Sequence, residues 1–175
     1  MRYVLAALAA TFIAGSATAA DAPASKSVEL KNASGSVIGS AQLTEAPKGV
    51  LIKIALKGAT PGWHGLHFHE KGDCSKSDFT SAGGHVHGGP TMVHGLLNPD
   101  ANEAGDLPNL YVAADGSANA EIFSPFVSLT GAGGRQALVD QDGSAIVIHA
   151  NADDHMTQPI GGAGARIACG VIAGG

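Results

Sequence analysis

The sequence predicts an all-β domain, a closed or nearly closed antiparallel sandwich with two long loops. Its apolar residues fall in short runs separated by turn residues, and none of the runs has a helical period. Only 14% of the residues are charged and 25 are glycine, which is typical of a turn-rich β protein. The 175 residues suffice for one domain, and no internal repeat or linker marks a second one.

The N-terminal residues are typical of a secretory signal peptide. Arg2 supplies a positive end, residues 4–15 are apolar, and Ala17-Thr18-Ala19 is a small-x-small cleavage signal. The apolar run is too short for a membrane anchor, and no cysteine follows the predicted cut to carry a lipid. We therefore predict a signal peptide at 1–19, a flexible lead-in at 20–27 and the domain at 28–175, in a periplasmic or secreted protein.

Charge and cysteine content limit the partners and the compartment. Without Arg2 the chain has nine basic and fifteen acidic residues, a net charge of −6, which disfavours nucleic acid and acidic membranes as partners. The two cysteines, Cys74 and Cys169, favour one disulfide in an exported protein. Whether the protein is a monomer or a homodimer stays open.

Eight segments carry strand signals. Two pairs are predicted as hairpins, the second with Asp115-Gly116 at its turn. In chain order the segments are 28–31, 37–43, 50–56, 62–70, 110–114, 117–123, 144–149 and 165–172. The long loops are residues 71–108 and 151–164; the first has no period and is expected to be held by cross-links.

The fourth segment, Gly62 to Glu70, contains three of the eight histidines. Because strand side chains alternate between faces, His64, Leu66 and Phe68 are predicted to face the core while His67 and His69 share the other face. The backbones of His67 and His69 would lie roughly 6.5–7 Å apart, a spacing that suits two ligands of one metal ion.

Further histidines extend this pair. His149 ends the seventh segment and His85 lies in the first long loop. Four imidazoles without a thiolate favour copper or zinc. His155 is expected to be exposed in the second loop.

At these positions the chain resembles the secreted bacterial copper-zinc superoxide dismutases. The resemblance covers residues 28–172 and is carried by Gly62–Glu70, Thr80–His85, Gly105–Asn109, His149 with Asp153, and Gly161–Ile172. It implies an eight-stranded Greek-key barrel, and an antioxidant enzyme that converts superoxide to dioxygen and hydrogen peroxide at a copper centre.

The resemblance also implies roles for individual residues. The implied copper ligands are His67, His69, His85 and His149. The implied zinc ligands are His85, which also passes a proton, His94 and Asp106. Asp153 would orient histidines of both sites, Arg166 would attract superoxide, His64 would be structural, and Cys74 would pair with Cys169.

One position departs from the family pattern. Glu103 stands three residues before Asp106, where the family usually has a zinc-ligating histidine. Glu103 could bind zinc through oxygen, His87 could replace the missing ring, or zinc could be weak or absent. The alternative functions are a periplasmic copper-storage protein without turnover and an inactive homologue.

Overall fold

The computed structural model describes residues 22–173, so the predicted signal peptide lies outside the described residues. The first strand begins at Ser25. The last three residues of the predicted lead-in therefore belong to the sheet, and this part of the prediction was wrong. No helix among the described residues is long and apolar enough to cross a membrane.

All eight predicted strands are present, with three additions. The predicted fourth strand breaks at Gly65 into two, and two short strands form between residues 127 and 137. In chain order the strands are β1 Ser25–Asn32, β2 Val37–Ala46, β3 Gly49–Lys57, β4 Gly62–His64, β5 Leu66–His69, β6 Leu110–Val112, β7 Ser117–Ser124, β8 Val127–Ser128, β9 Gln136–Ala137, β10 Ser144–His149 and β11 Arg166–Ile172.

Seven strands form one curled antiparallel sheet in the order β5-β10-β11-β1-β2-β3-β7. The pair β4-β6 and the parallel pair β8-β9 stand apart from it. The turn predicted between β6 and β7 forms, with the Ala113 N–H donating to the Ser117 carbonyl at 2.8 Å. However, β6 pairs with β4 and β7 pairs with β3, so the turn links two sheets instead of one hairpin.

The two faces of β5 and β10 differ in what they bury. Leu66, Phe68, Ile146 and Ile148 belong to the main core inside the curled sheet. On the outer face, Ala145 and Val147 join a smaller cluster that contains Phe79 and the half-cystine Cys169. His67 pairs with Val147 in the β5–β10 register, so the histidines of β5 lie on this outer face.

The first long loop covers this outer face. It contains the 3-10 helix Thr80–Ala82 and is tied to β11 by the disulfide between Cys74 and Cys169. Three single bridges hold the loop further: His67 with Asp106, His69 with His85, and His87 with Glu103. The metal ligands implied by the resemblance therefore lie where this loop meets the sheet.

Candidate metal centre

Four imidazole rings meet on the outer face of the sheet. His67 and His69 alternate with the core residues of β5, His149 ends β10, and His85 comes from the loop beside His69. One ligand nitrogen from each ring lies within 4.8 Å of the others. All four residues are buried, with exposed fractions of 0–3%.

Each of these rings has one buried nitrogen without a hydrogen-bond partner. The nitrogens are His67 Nδ1, His69 Nε2, His85 Nε2 and His149 Nε2. The other nitrogen of each ring is occupied: that of His69 bonds the Gly83 carbonyl at 3.0 Å, and that of His149 bonds the Gly164 carbonyl at 3.0 Å. Unsatisfied buried polar atoms are costly, and a metal ion that accepts all four nitrogens removes that cost.

Burial also keeps the rings of the sheet strands uncharged. It lowers the pKa of His67 to about 4 and, together with His67 and Arg166 nearby, that of His149 to about 3. Burial, His85 and Arg166 lower the pKa of His69 well below its ordinary value. At neutral pH these three rings therefore carry free lone pairs, as a metal ligand requires.

A second group lies on the other side of His85. His85 Nδ1 is 2.7 Å from Glu103 Oε2 and 3.2 Å from Asp106 Oδ1. His94 Nδ1 is 3.1 Å from the same glutamate oxygen and 2.9 Å from the same aspartate oxygen. His85 thus points its two nitrogens at two different groups.

Hydrogen bonding gives this second group a different charge from the first. Burial alone would lower the pKa of His94, but bonds to Asp106, Asp153 and Glu103 raise it to about 11. Burial would raise the pKa of Asp106 and Glu103, but their bonds to His85 and His94 lower it. Without a metal, buried carboxylates and protonated imidazoles neutralise one another here.

Asp153 connects the two groups. Its Oδ2 accepts a hydrogen bond from His67 Nε2 at 2.8 Å, and its Oδ1 accepts one from His94 Nε2 at 3.1 Å. Asn109 holds this aspartate by two bonds of 2.8 Å to its backbone N–H and carbonyl. The contact to both groups that the resemblance implies for Asp153 is therefore present.

Comparisons with known proteins identify the protein family. The family model of copper/zinc superoxide dismutase (SODC) matches residues 37–172. This chain belongs to the copper/zinc superoxide dismutase family. The family's metals are copper and zinc, and its fold is the Greek-key β-barrel seen here.

Individual relatives agree with this assignment. A copper-zinc superoxide dismutase of Caulobacter vibrioides is 68% identical over 143 residues, 82% of each chain. A double mutant of a superoxide dismutase-like protein from Bacillus subtilis has a TM-score of 0.79 and 43% identity over 85% of this chain and 97% of its own. The copper/zinc superoxide dismutase of Brucella abortus has a TM-score of 0.69 and 31% identity, covering 85% and 99%.

Arg166, the family's expected cation, is fixed beside the four rings. Its Nη1 donates to the Phe79 carbonyl and its Nη2 to the Gly83 carbonyl, both at 2.6 Å. Gly83 also bonds His69, so the guanidinium and a ligand ring share one acceptor. The charge of Arg166 is among the causes that lower the pKa of His69 and His149.

Three other histidines lie outside the two groups. His64 is buried with its nitrogens 2.7 Å from the carbonyls of His149 and Thr60, as expected of a structural ring. The His87 side chain is 24% exposed, and its Nδ1 bonds the His85 carbonyl at 2.8 Å. His155 is only partly exposed, contrary to expectation, and its backbone N–H donates to Asp153 Oδ1 at 2.6 Å.

The sequence did not predict that Gly161 lies directly against Asp153. Its φ of +60° favours glycine, and a Cβ atom there would lie 1.6 Å from Asp153 Oδ1. The three glycines among residues 161–164 gave the only sequence signal, but that signal does not say which glycine faces a carboxylate. The carbonyls of Phe79 and Gly83, which hold Arg166, could not be predicted from the sequence, because every residue has a backbone carbonyl.

Proposed function

We propose that this protein removes superoxide at a copper ion held by His67, His69, His85 and His149. The observation that carries the proposal is the set of four buried, unbonded imidazole nitrogens within 4.8 Å of one another. Four nitrogen donors suit copper, and neutral rings bind it without first losing protons.

Copper bound there would supply one-electron chemistry, by which two superoxide ions and two protons become dioxygen and hydrogen peroxide. The chain's residues position the reactants. Asp153 and the carbonyls of Gly83 and Gly164 fix the ligand rings through their second nitrogens. These bonds hold three of the four donor nitrogens in place independently of the metal.

Arg166 supplies the binding site for the anion. Its guanidinium is half-buried and held by two carbonyls, so its position does not depend on the substrate. A preorganised cation beside the metal attracts superoxide and favours its reduced, more negative product. His85 lies between the two groups, where its nitrogens are suited to carry a proton toward the product.

We also propose that the protein acts in the periplasm or outside the cell after removal of residues 1–19. The net charge of −6 expected for the mature chain disfavours nucleic acid as a partner. Superoxide is the small-molecule substrate, and a monomer or a homodimer would both serve it.

A copper-storage protein would use the same ligands without turnover. Arg166 favours the enzyme, because storage requires no cation at the metal. The test is superoxide consumption by the copper-loaded protein and by Arg166→Glu. We expect the substitution to lower the second-order rate roughly tenfold or more, because it replaces attraction of the anion by repulsion.

The matched control is Lys48→Glu, the same charge change on an exposed side chain in the turn between β2 and β3. Copper content is expected to stay unchanged in both variants, and the rate to stay unchanged in the control. Copper-loaded protein that binds the metal but leaves superoxide untouched would refute the proposed activity. Equal rates for Arg166→Glu and the parent would remove Arg166 from the mechanism.

A further inference from the structure

The second group contains an unusual pair of buried carboxylates. The side chains of Glu103 and Asp106 are 5% and 1% exposed, and those of His85 and His94 are 2% and 0% exposed. Each imidazole Nδ1 contacts one oxygen of each carboxylate, and the four nitrogen–oxygen distances run from 2.7 to 3.2 Å. The same two carboxylate oxygens thus face the same two nitrogens.

These four contacts can be compared with four of the six edges of a tetrahedral ligand set. Zinc bonds to imidazole nitrogen and carboxylate oxygen are about 2.0–2.1 Å long, so neighbouring ligands of a tetrahedral ion are about 3.3 Å apart. All four observed distances are shorter than this, by about 0.1–0.6 Å. The side chains would therefore have to move apart by up to about 0.6 Å to admit an ion between them.

His67 also approaches this group within 4.8 Å. However, its Nε2 is bonded to Asp153 at 2.8 Å, and its remaining nitrogen belongs to the first group. Among the described residues, His87 makes no hydrogen bond to a side chain of the second group; its Nδ1 bonds the His85 carbonyl at 2.8 Å and lies 4.0 Å from Glu70. In the described part of the chain, two carboxylate side chains contact both His85 and His94, and these are Asp106 and Glu103.

We propose that Glu103 is the fourth ligand of the second metal centre, which is a two-imidazole, two-carboxylate site for a divalent ion of the zinc class. The proposal rests on the proposed function only in that His85 is shared with copper. Two carboxylates neutralise a divalent ion, whereas three imidazoles and one carboxylate would leave a net charge of +1. Two oxygen donors also suit Zn²⁺ and Co²⁺ better than they suit Cu⁺, which prefers softer ligands.

A cavity of about 490 Å³ borders the carboxylate side of this site. Glu103 and Asp106 line it together with Leu96, Phe126 and Arg135. None of the four rings of the first group lines this cavity, so it lies on the side of the second group away from the copper ligands of the sheet.

The test measures Zn²⁺ and Co²⁺ binding to the copper-free full chain, with no superoxide present. Glu103→Gln keeps the shape of the side chain but removes its charge, and we expect Zn²⁺ affinity to fall by at least roughly tenfold to a hundredfold. Asp100→Asn is the matched control, since it removes one charge from an exposed position of the same loop. Its Zn²⁺ affinity is expected to equal that of the parent.

Glu103→His gives a second readout that does not depend on loss of binding. We expect it to bind both ions and to shift the visible absorption of bound Co²⁺, because a nitrogen replaces an oxygen donor. Equal Zn²⁺ affinity in Glu103→Gln and the parent, or an unchanged Co²⁺ spectrum in Glu103→His, would overturn the proposal. A loss of affinity in His87→Gln with none in Glu103→Gln would also overturn it.

The two proposals can fail separately. Copper content and superoxide consumption report on the four-ring group, whereas Zn²⁺ and Co²⁺ binding to copper-free protein report on Glu103. A protein that binds Zn²⁺ through Glu103 but does not consume superoxide would contradict only the proposed activity.

Discussion

Acidification is expected to destabilise the metal-free protein between pH 6.5 and 4.5, a range in which most domains change little. An unfolded histidine titrates near pH 6.5. In the folded protein, burial lowers the pKa of His67 to about 4 and that of His149 to about 3. Within this window the unfolded chain therefore binds more protons than the folded one, and stability falls as the pH falls.

The size of the effect follows from the number of rings. One proton of difference changes the free energy of unfolding by about 1.4 kcal/mol per pH unit. His67 and His149 together give a slope of about 2.7 kcal/mol per pH unit, or roughly 5 kcal/mol over the whole window as an upper bound. His69, whose pKa is also lowered by burial, acts in the same direction. This loss is comparable to the total stability of about 5–15 kcal/mol of a typical domain.

Other titrating groups of the two metal centres do not act in this window. The bonds to carboxylates raise the pKa of His94 to about 11 and raise that of His85 above its ordinary value, so the stabilisation from these two rings is retained as the pH falls below 6.5. Hydrogen bonds lower the pKa of Glu103, Asp106 and Asp153. Their stabilisation is complete above the ordinary carboxyl range and is lost only below about pH 4.5.

The assay is urea unfolding of chelator-treated protein at several pH values between 6.5 and 4.5. His149→Gln is expected to reduce the slope of unfolding free energy against pH by about 1.4 kcal/mol per unit, since one buried ring is removed. His87→Gln, which removes a partly exposed ring outside both groups, is the control and should keep the parent's slope. A parent protein equally stable at both ends of the window would refute the reasoning, because the ligand rings would then not be held neutral by burial.

Two further predictions concern the supports of the site. Replacing Cys74 and Cys169 by serine removes a disulfide between residues 95 positions apart in the chain. We expect the free energy of unfolding, measured with urea, to fall by at most about 4.7 kcal/mol. An unchanged free energy of unfolding would mean that packing alone holds the first long loop. Gly161→Ala is expected to lower copper and zinc content, because its Cβ would displace Asp153. Gly162→Ala is the matched control, since Gly162 has a similar φ of +69° and a Cβ added there would have no atom within 4 Å. Equal metal content in the two variants would contradict this role of Gly161.

The strand part of the site could be predicted from the sequence. The alternation of β5 assigns Leu66 and Phe68 to the core and His67 and His69 to the other face, and the structure has this arrangement. This works because one buried face fixes the register of a strand, and a slip of one residue would reverse every side chain. His149 ends β10, but the register against β11 shifts between Ile148 and His149, so alternation alone does not fix its direction.

The loop part could not be predicted from local pattern. The directions of Glu103 and His87 depend on the single bridge between their backbones, a tertiary contact that leaves no period in the sequence. The break at Gly65 is similar: a Cβ atom there would lie 2.8 Å from the Ala163 side chain, which comes from a distant loop. Only family resemblance indicated which loop residues matter, and it gave no answer at Glu103 because the chain departs from the family there.

The two ligand groups differ in their hydrogen bonding before any metal binds. The first group leaves four buried nitrogens unbonded, each of which costs about 1–3 kcal/mol, so a metal ion stabilises it directly. The second group is already neutralised by bonds between carboxylates and imidazoles, so an ion must replace protons there. His85 belongs to both groups, and Asp153 bonds a ring of each. Glu103 contacts His85 Nδ1 at 2.7 Å, so this shared ring links the carboxylate to the four-ring group, although Glu103 bonds none of the four unbonded nitrogens.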